Sequence, residues 1–297
     1  MRSLKYEMMA IGSAVLWGLA FPVTKFVGGA VDSVSFLMLK FLIASIFAIV
    51  FSFKRLKEIR DPKMVLSCLF LGMIFATHSF FQVEGLRYTS AANSGFITSM
   101  NVLFVPFLMY LFFRQKPTKN IVIGLIAIVI GFLFISGIVS VNPFSFNLTR
   151  LNYGDFLTLI CAIFTAVYMV VFNTLSVKYD EVAVNTLHFI AAFLSMFVVW
   201  CFYPGRTMEL GSAPVFLSVL YCGAFAAGVA HLLLAKANTK VEASKVAILS
   251  GLEPVFATVF ALFIPDMDGN FGTITLSVAI GGALILYGAI KSALVKD

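Results

Sequence analysis

Charge is what this sequence has least of. Only 12% of its 297 residues are Asp, Glu, Lys or Arg, about half the roughly 25% of a soluble domain. Hydrophobic residues make up 61%, and the mean hydropathy is +1.01. Such a chain cannot cover its surface with polar groups, so lipid must be its main solvent, and no sizeable soluble domain fits. Cysteine is scarce too. Cys68, Cys161, Cys201 and Cys222 all fall in apolar stretches without CxxC spacing, which reads as buried filler rather than a disulfide or metal site. Catalytic motifs are missing: no HExxH, no GxSxG, no paired carboxylates and no phosphate loop. That argues against a membrane-embedded enzyme, and the lack of a filter loop argues against a channel. No cofactor or metal is expected, and no ATP-binding motif is present. The formal charge of +7 comes with no basic stripe, so nucleic acid is not an expected partner.

What is there is phenylalanine, 33 of them, and a series of apolar runs of about 20 residues, the length that crosses a bilayer core. Ten are expected: 7–27, 34–53, 64–83, 91–113, 120–140, 154–176, 183–203, 213–235, 244–264 and 272–292. The N-terminus begins basic and turns apolar like a signal peptide. Its length, Trp17, Pro22 and the want of a cleavage site make it a retained first span. With the N-terminus inside, sixteen lysines and arginines fall in inner segments, while only Arg87, Arg150 and Arg206 fall in outer ones. That asymmetry predicts a multi-pass protein of the cell (inner) membrane with both termini cytoplasmic. Asn147-Leu148-Thr149 is a glycosylation pattern in an outer loop, without meaning in a bacterial membrane.

The two halves of the chain resemble each other. At an offset of 148, Asp32, Leu39, Phe41 and Ala44 match Asp180, Leu187, Phe189 and Ala192, and Lys40 falls opposite His188. At 151, Ile97 and Ser99 match Ile248 and Ser250; at 157, Gly124 and Gly131 match Gly281 and Gly288. A five-span repeat follows, divided as 1–147 and 148–297. An odd number of spans inverts the second copy, so the expected fold is an all-α membrane protein of ten transmembrane helices in two inverted five-helix repeats. That is an architecture of secondary transporters.

Five segments carry a family resemblance: "AVLWGLAFPVTK", "FLMLKFLIAS", "GLRYTSAANSGFITSMNVLFVPFL", "EASKVAILSGLEPVFATVFALF" and "IGGALILYGAI". Together they resemble the EamA-type transporters of the drug/metabolite transporter superfamily, over nearly the whole chain. The resemblance implies ten helices, inverted halves, inner termini and a small-molecule cargo, mostly amino acids and similar metabolites, often exported. The chain departs from the family in carrying Lys40 where arginine is usual, Pro106 three residues after the usual proline position, and "FFRQKP" and "FIPDMDGN" where Gly-Glu is usual.

A polar group at bilayer depth is costly and belongs in the bundle interior. Trp17, Asn101, Tyr168 and Glu253 each lie about ten residues into a span, near the midplane. They are candidate substrate-binding residues, with aromatic packing (Trp17, Tyr168) or an interhelical bond (Asn101, Glu253) as the competing reading. His78, Phe81 and Gln82 form a second candidate patch, a substrate lining or a proton-titrating gate, with a satisfied interior histidine as its rival. Lys40 and His188 are candidate gate partners, with Asp155 a candidate complement to Lys40. His231 is placed at the inner interface. Pro106 and Pro254 are expected helix breaks, since proline removes a backbone donor. The reading is an alternating-access secondary transporter exporting a small metabolite. An uptake carrier is the alternative, and an enzyme or channel is a more distant one.

Overall fold

The computed structural model describes residues 2–53, 55, 59, 61–135, 137–141, 144–146, 152–265, 269 and 271–293. Asn147–Thr149, the expected boundary between 147 and 148, and Lys54, Lys57, Arg60, Arg150 and Lys296 of the charge tally lie outside them.

The helices are α1 (Arg2–Val27), α2 (Ser33–Ser52), α3 (Pro62–Tyr88), α4 (Ala91–Ser99), α5 (Asn101–Phe113) and α6 (Lys119–Ile135). After a short hairpin, β1 (Val139–Val141) with β2 (Phe144–Phe146), come α7 (Tyr153–Lys178), α8 (Glu181–Phe202) and α9 (Ala213–Tyr221). A π-helical segment, Cys222–Val229, joins α9 to α10 (Ala230–Asn238). The chain ends with α11 (Ala243–Ser250), α12 (Glu253–Ala261) and α13 (Leu276–Ala293). Among the described residues eight stretches are long and apolar enough to cross a membrane. They are α1, α2, α3, the joined α4–α5, α7, α8, the run from α9 to α10, and the joined α11–α12. α6 and α13 are shorter apolar helices in the expected fifth and tenth places. The protein is therefore a multi-pass, all-α membrane protein.

Short polar side chains start the helices. Asp32 accepts from the Val34 and Ser35 amides at 3.0 and 2.9 Å, and Asp180 from the Ala183 amide at 2.9 Å. Asn152 and Asp155 form a reciprocal capping box at the start of α7, satisfying donors that a helix N-terminus leaves free. The run expected to stay helical to residue 140 stops at Ile135. Gly137 takes φ 72°, a left-handed conformation that ends helices, and the β-branched Val139 and Val141 then pair in the hairpin.

The helices of the first five runs pack mainly on those of the last five. α1 lies on α10 and α12, α7 on α3 and α5, α2 on the π segment, α3 on α8, α2 on α8, and α6 on α13. Exchanging the first and second sets of runs leaves this pattern unchanged. Close glycine contacts follow it. A Cβ on Gly223 would meet Ile43 Cβ at 2.6 Å and the Lys40 carbonyl at 3.0 Å, and one on Gly72 would meet Ala191 and the His188 carbonyl, the latter at 2.6 Å. These are matched positions, at offsets of 151 for the glycines and 148 for their neighbours. Gly131 and Gly281 likewise bring the α6 and α13 backbones together, and Gly288 sits on Gly124.

Candidate functional site

Two helix breaks open the centre of the bundle. Between α4 and α5 the chain turns at Met100, where the Met100 amide donates to Ile97 O at 3.1 Å and the Leu103 amide to Met100 O at 2.9 Å. Between α11 and α12 it turns at Gly251–Leu252, with Leu252 N donating to Leu249 O and Val255 N to Leu252 O at 3.3 and 3.0 Å. Both turns tighten from i→i−4 to i→i−3 bonding, and Met100 matches Gly251 at the offset of 151. Pro254 is at the break, in the first turn of α12, where a missing amide costs nothing. Pro106 is not: it lies inside α5, six residues past the turn. The expectation that Pro106 marks a shifted break is thus corrected. The breaks are aligned and only the proline has moved.

Between these breaks lies a cavity of about 70 Å³, taken over the centres of water-sized spheres. One water needs roughly 10–15 Å³ on that measure, so the space suits a few waters or a small ligand. Of the expected binding residues, Trp17, His78, Gln82, Asn101, Tyr168 and Glu253 all line it. Phe81 does not; its ring stacks on Phe164 at 6.2 Å between centroids, because one position along α3 turns a side chain about 100° away from Gln82. Lys40 also lines the cavity. Its expected complement Asp155 is engaged elsewhere, accepting from Thr89 Oγ1 at 2.6 Å and the Asn152 amide at 2.9 Å.

His188 does not share the cavity with Lys40. It is fully buried behind the wall, its Nε2 3.3 Å from the Tyr168 hydroxyl and its Nδ1 3.3 Å from the Val184 carbonyl. His231 is not at the interface but buried, edge-on to Trp17 at 5.0 Å, with Nδ1 3.0 Å from the Ala227 carbonyl. The three histidines, though on separate spans, converge around Phe75, whose ring centroid is 4.9, 5.2 and 4.9 Å from those of His78, His188 and His231. Among the described residues no cluster of His, Cys, Asp or Glu could hold a metal. Cys68, Cys161 and Cys222 are buried and free, as filler would be, whereas Cys201 is exposed.

The sequence reading missed Thr24, Phe75, Ser79, Thr98, Thr165 and Ser250 as lining residues. A signal for them was present. Positions 17, 20, 21 and 24 form one helical stripe, as do 75, 78, 79 and 82, and 165, 168 and 169, so each polar residue found marks the face its neighbours share. The π segment was also missed. Its wide turn carries the Ala226 carbonyl that accepts the Trp17 indole N–H at 2.8 Å, and such turns favour functional sites.

Each end of the bundle is clasped. Where α1 finishes, Lys25 donates to the carbonyls of Leu86 and Thr89 at 3.0 and 2.6 Å, gripping the turn between α3 and α4. Where α1 starts, Asn173, matched to Lys25 at the offset of 148, lies 3.4 and 3.3 Å from the carbonyl and side-chain oxygens of Asn238 at the end of α10. There Glu7 also pairs with Lys245 at 3.0 Å, both nearly buried. Lys25 therefore serves as a donor to the end of α3.

Two segments of the chain, residues 4–137 and 152–291, match the EamA-like transporter family. An "Uncharacterized transporter" of Archaeoglobus fulgidus is 28% identical over 252 residues, covering 84% of this chain and 74% of the relative. The "Uncharacterized transporter YyaM" of Bacillus subtilis is 23% identical over 297 residues, 98% and 96% of the two chains. A solved crystal structure with 21% identity superposes with a TM-score of 0.74 over 97% of this chain and 96% of the other, a likeness of fold.

Proposed function

The chain belongs to the EamA-like transporter family, and from that premise we propose that it is a secondary active transporter. It works by alternating access and exports amino acids or similar small metabolites across the cell membrane. Ten spans form two inverted five-helix halves, 1–147 and 148–297, with both termini cytoplasmic. Supporting this are the packing pattern that survives exchange of the halves and the positive-inside charge asymmetry. The observation that carries the reading is the central cavity placed between two matched helix breaks. Two equivalent, oppositely directed halves can exchange conformations around one site near the midplane. Trp17, His78, Gln82, Asn101, Tyr168 and Glu253 are the binding residues. The clasps at Lys25 and at Glu7–Lys245 are the contacts that must part on the outer and inner faces in turn. Counterflow in proteoliposomes tests the reading. Preloaded unlabelled amino acids should drive saturable accumulation of labelled substrate; flux that never saturates, or conversion of the substrate, would refute a carrier.

A further inference from the structure

Lys40 is the eighth residue of α2, about 10 Å below the helix start at 1.5 Å per residue. It lines the cavity. Among the described residues its ammonium makes no hydrogen bond and no ion pair, and it lies 5.8 Å from the centre of the Phe41 ring. Its matched residue, His188, is sealed behind Tyr168. The two halves therefore differ here in one respect: only one turns a fixed cation toward the site. Glu253, on the broken α12, lines the same cavity without a hydrogen bond or an ion pair among the described residues, and it and Lys40 attract each other only across that space. Four further buried residues at the cavity hold side-chain atoms with no hydrogen-bond partner among the described residues: His78 at both ring nitrogens, Thr98 at Oγ1, Asn101 at Oδ1 and Ser250 at Oγ. Buried polar groups are normally paired, and several orphans around one space describe the ligand that would satisfy them.

Resting on the transporter reading, we propose that Lys40 is the specificity anchor for a single carboxylate on the substrate, with Glu253 receiving a donor group, amino or hydroxyl, at its other pole. The cargo is a small amino- or hydroxy-carboxylate. One lysine and one glutamate on the same cavity wall match a ligand with one negative group. A phosphate would call for more charge and for forked donors such as arginine, and no arginine lines the cavity. A simple amine would leave the lysine uncompensated and repelled. This assigns Lys40 to binding rather than to a gate pair.

The test uses the purified full-length chain. Thermal shift and counterflow are measured with the common α-amino acids, their carboxamides, the corresponding decarboxylated amines, the α-hydroxy acids and phosphoserine. At least one carboxylate should stabilise the protein and exchange, while its carboxamide and amine do neither. Lys40→Met should weaken that carboxylate about tenfold to a hundredfold, the range for a lost hydrogen bond to a charged group, and Lys40→Arg should restore most of it. The unliganded melting temperature of each variant establishes folding. Equal response to carboxamides, amines or phosphoserine, no response to any carboxylate, or a Lys40→Met protein that still rejects carboxamides overturns the proposal. Counterflow of amines alone would sink the anchor and spare the transporter; no counterflow by any compound would sink the transporter reading itself.

Discussion

Gly281 and Gly282 are neighbours on α13, and the structure assigns them opposite responses to one added methyl group. A Cβ on Gly281 would lie 2.5 Å from the Gly131 carbonyl oxygen, 2.8 Å from Ile135 Cγ1 and 3.0 Å from the Ile135 amide. Ordinary contact begins near 3.4 Å, so α6 and α13 must separate by close to an ångström, and two of the three obstacles are backbone that no rotamer change can move. Overpacking of this kind costs about 1–3 kcal/mol. A Cβ on Gly282 meets nothing within 4 Å. Both substitutions gain the helix propensity of alanine over glycine, about 1 kcal/mol, so that term cancels in the comparison. Gly281→Ala should therefore melt several degrees below Gly282→Ala in detergent, and Gly282→Ala should match or exceed the parent. Gly131→Ala, blocked at 2.6 Å by the Gly281 carbonyl, should behave like Gly281→Ala. Equal melting temperatures for the adjacent pair would refute the claim that α6 and α13 touch through their backbones.

Three other outcomes are expected. Glu7→Gln should destabilise by about 3 kcal/mol, because the buried Lys245 ammonium loses its ion pair; a double-mutant cycle with Lys245→Met that shows no coupling energy would count against that pair. His188→Phe should lower stability by roughly 1–3 kcal/mol by leaving the buried Tyr168 hydroxyl unpaired. It should leave substrate affinity within a few fold, since His188 does not face the cavity; a large affinity loss with unchanged melting would contradict its position. If Glu253 carries a coupled proton, Glu253→Gln should transport without regard to an imposed pH gradient that drives the parent protein, and a variant that still follows the gradient shows the proton travels elsewhere.

Much of this arrangement was legible because a membrane restricts what a sequence can do. Helix runs must be apolar, so their limits were readable to within a few residues, and a polar residue amid them stands out, which is how Trp17, Asn101, Tyr168 and Glu253 were found. Depth was harder. Counting from the run end puts His231 near the inner interface, yet α10 continues to Asn238 and His231 lines the cavity. The break at Met100 carries no glycine or proline, so nothing local announced it; it is visible only as the counterpart of Gly251. The proline at 106, the obvious signal, misled because α5 accommodates it. The hairpin at 139–146 and the π segment depend on how neighbouring helices approach, information that a single run does not hold.

The way the helices pair has a consequence for how the protein is made. Each of the first five runs finds its broadest partner among the last five: α1 waits for α10 and α12, α3 for α7 and α8, and α6 for α13. The ribosome delivers the N-terminal runs first, at roughly 5–20 residues per second. For several seconds those helices sit in the bilayer without their partners, the Gly72 and Gly131 faces bare and Lys40 without its cavity. Assembly must then interleave the late helices among the early ones, rather than dock two finished halves. A chain truncated after the first half should accordingly be a substrate for membrane quality control, while the two halves expressed together as separate polypeptides retain every contact needed to assemble.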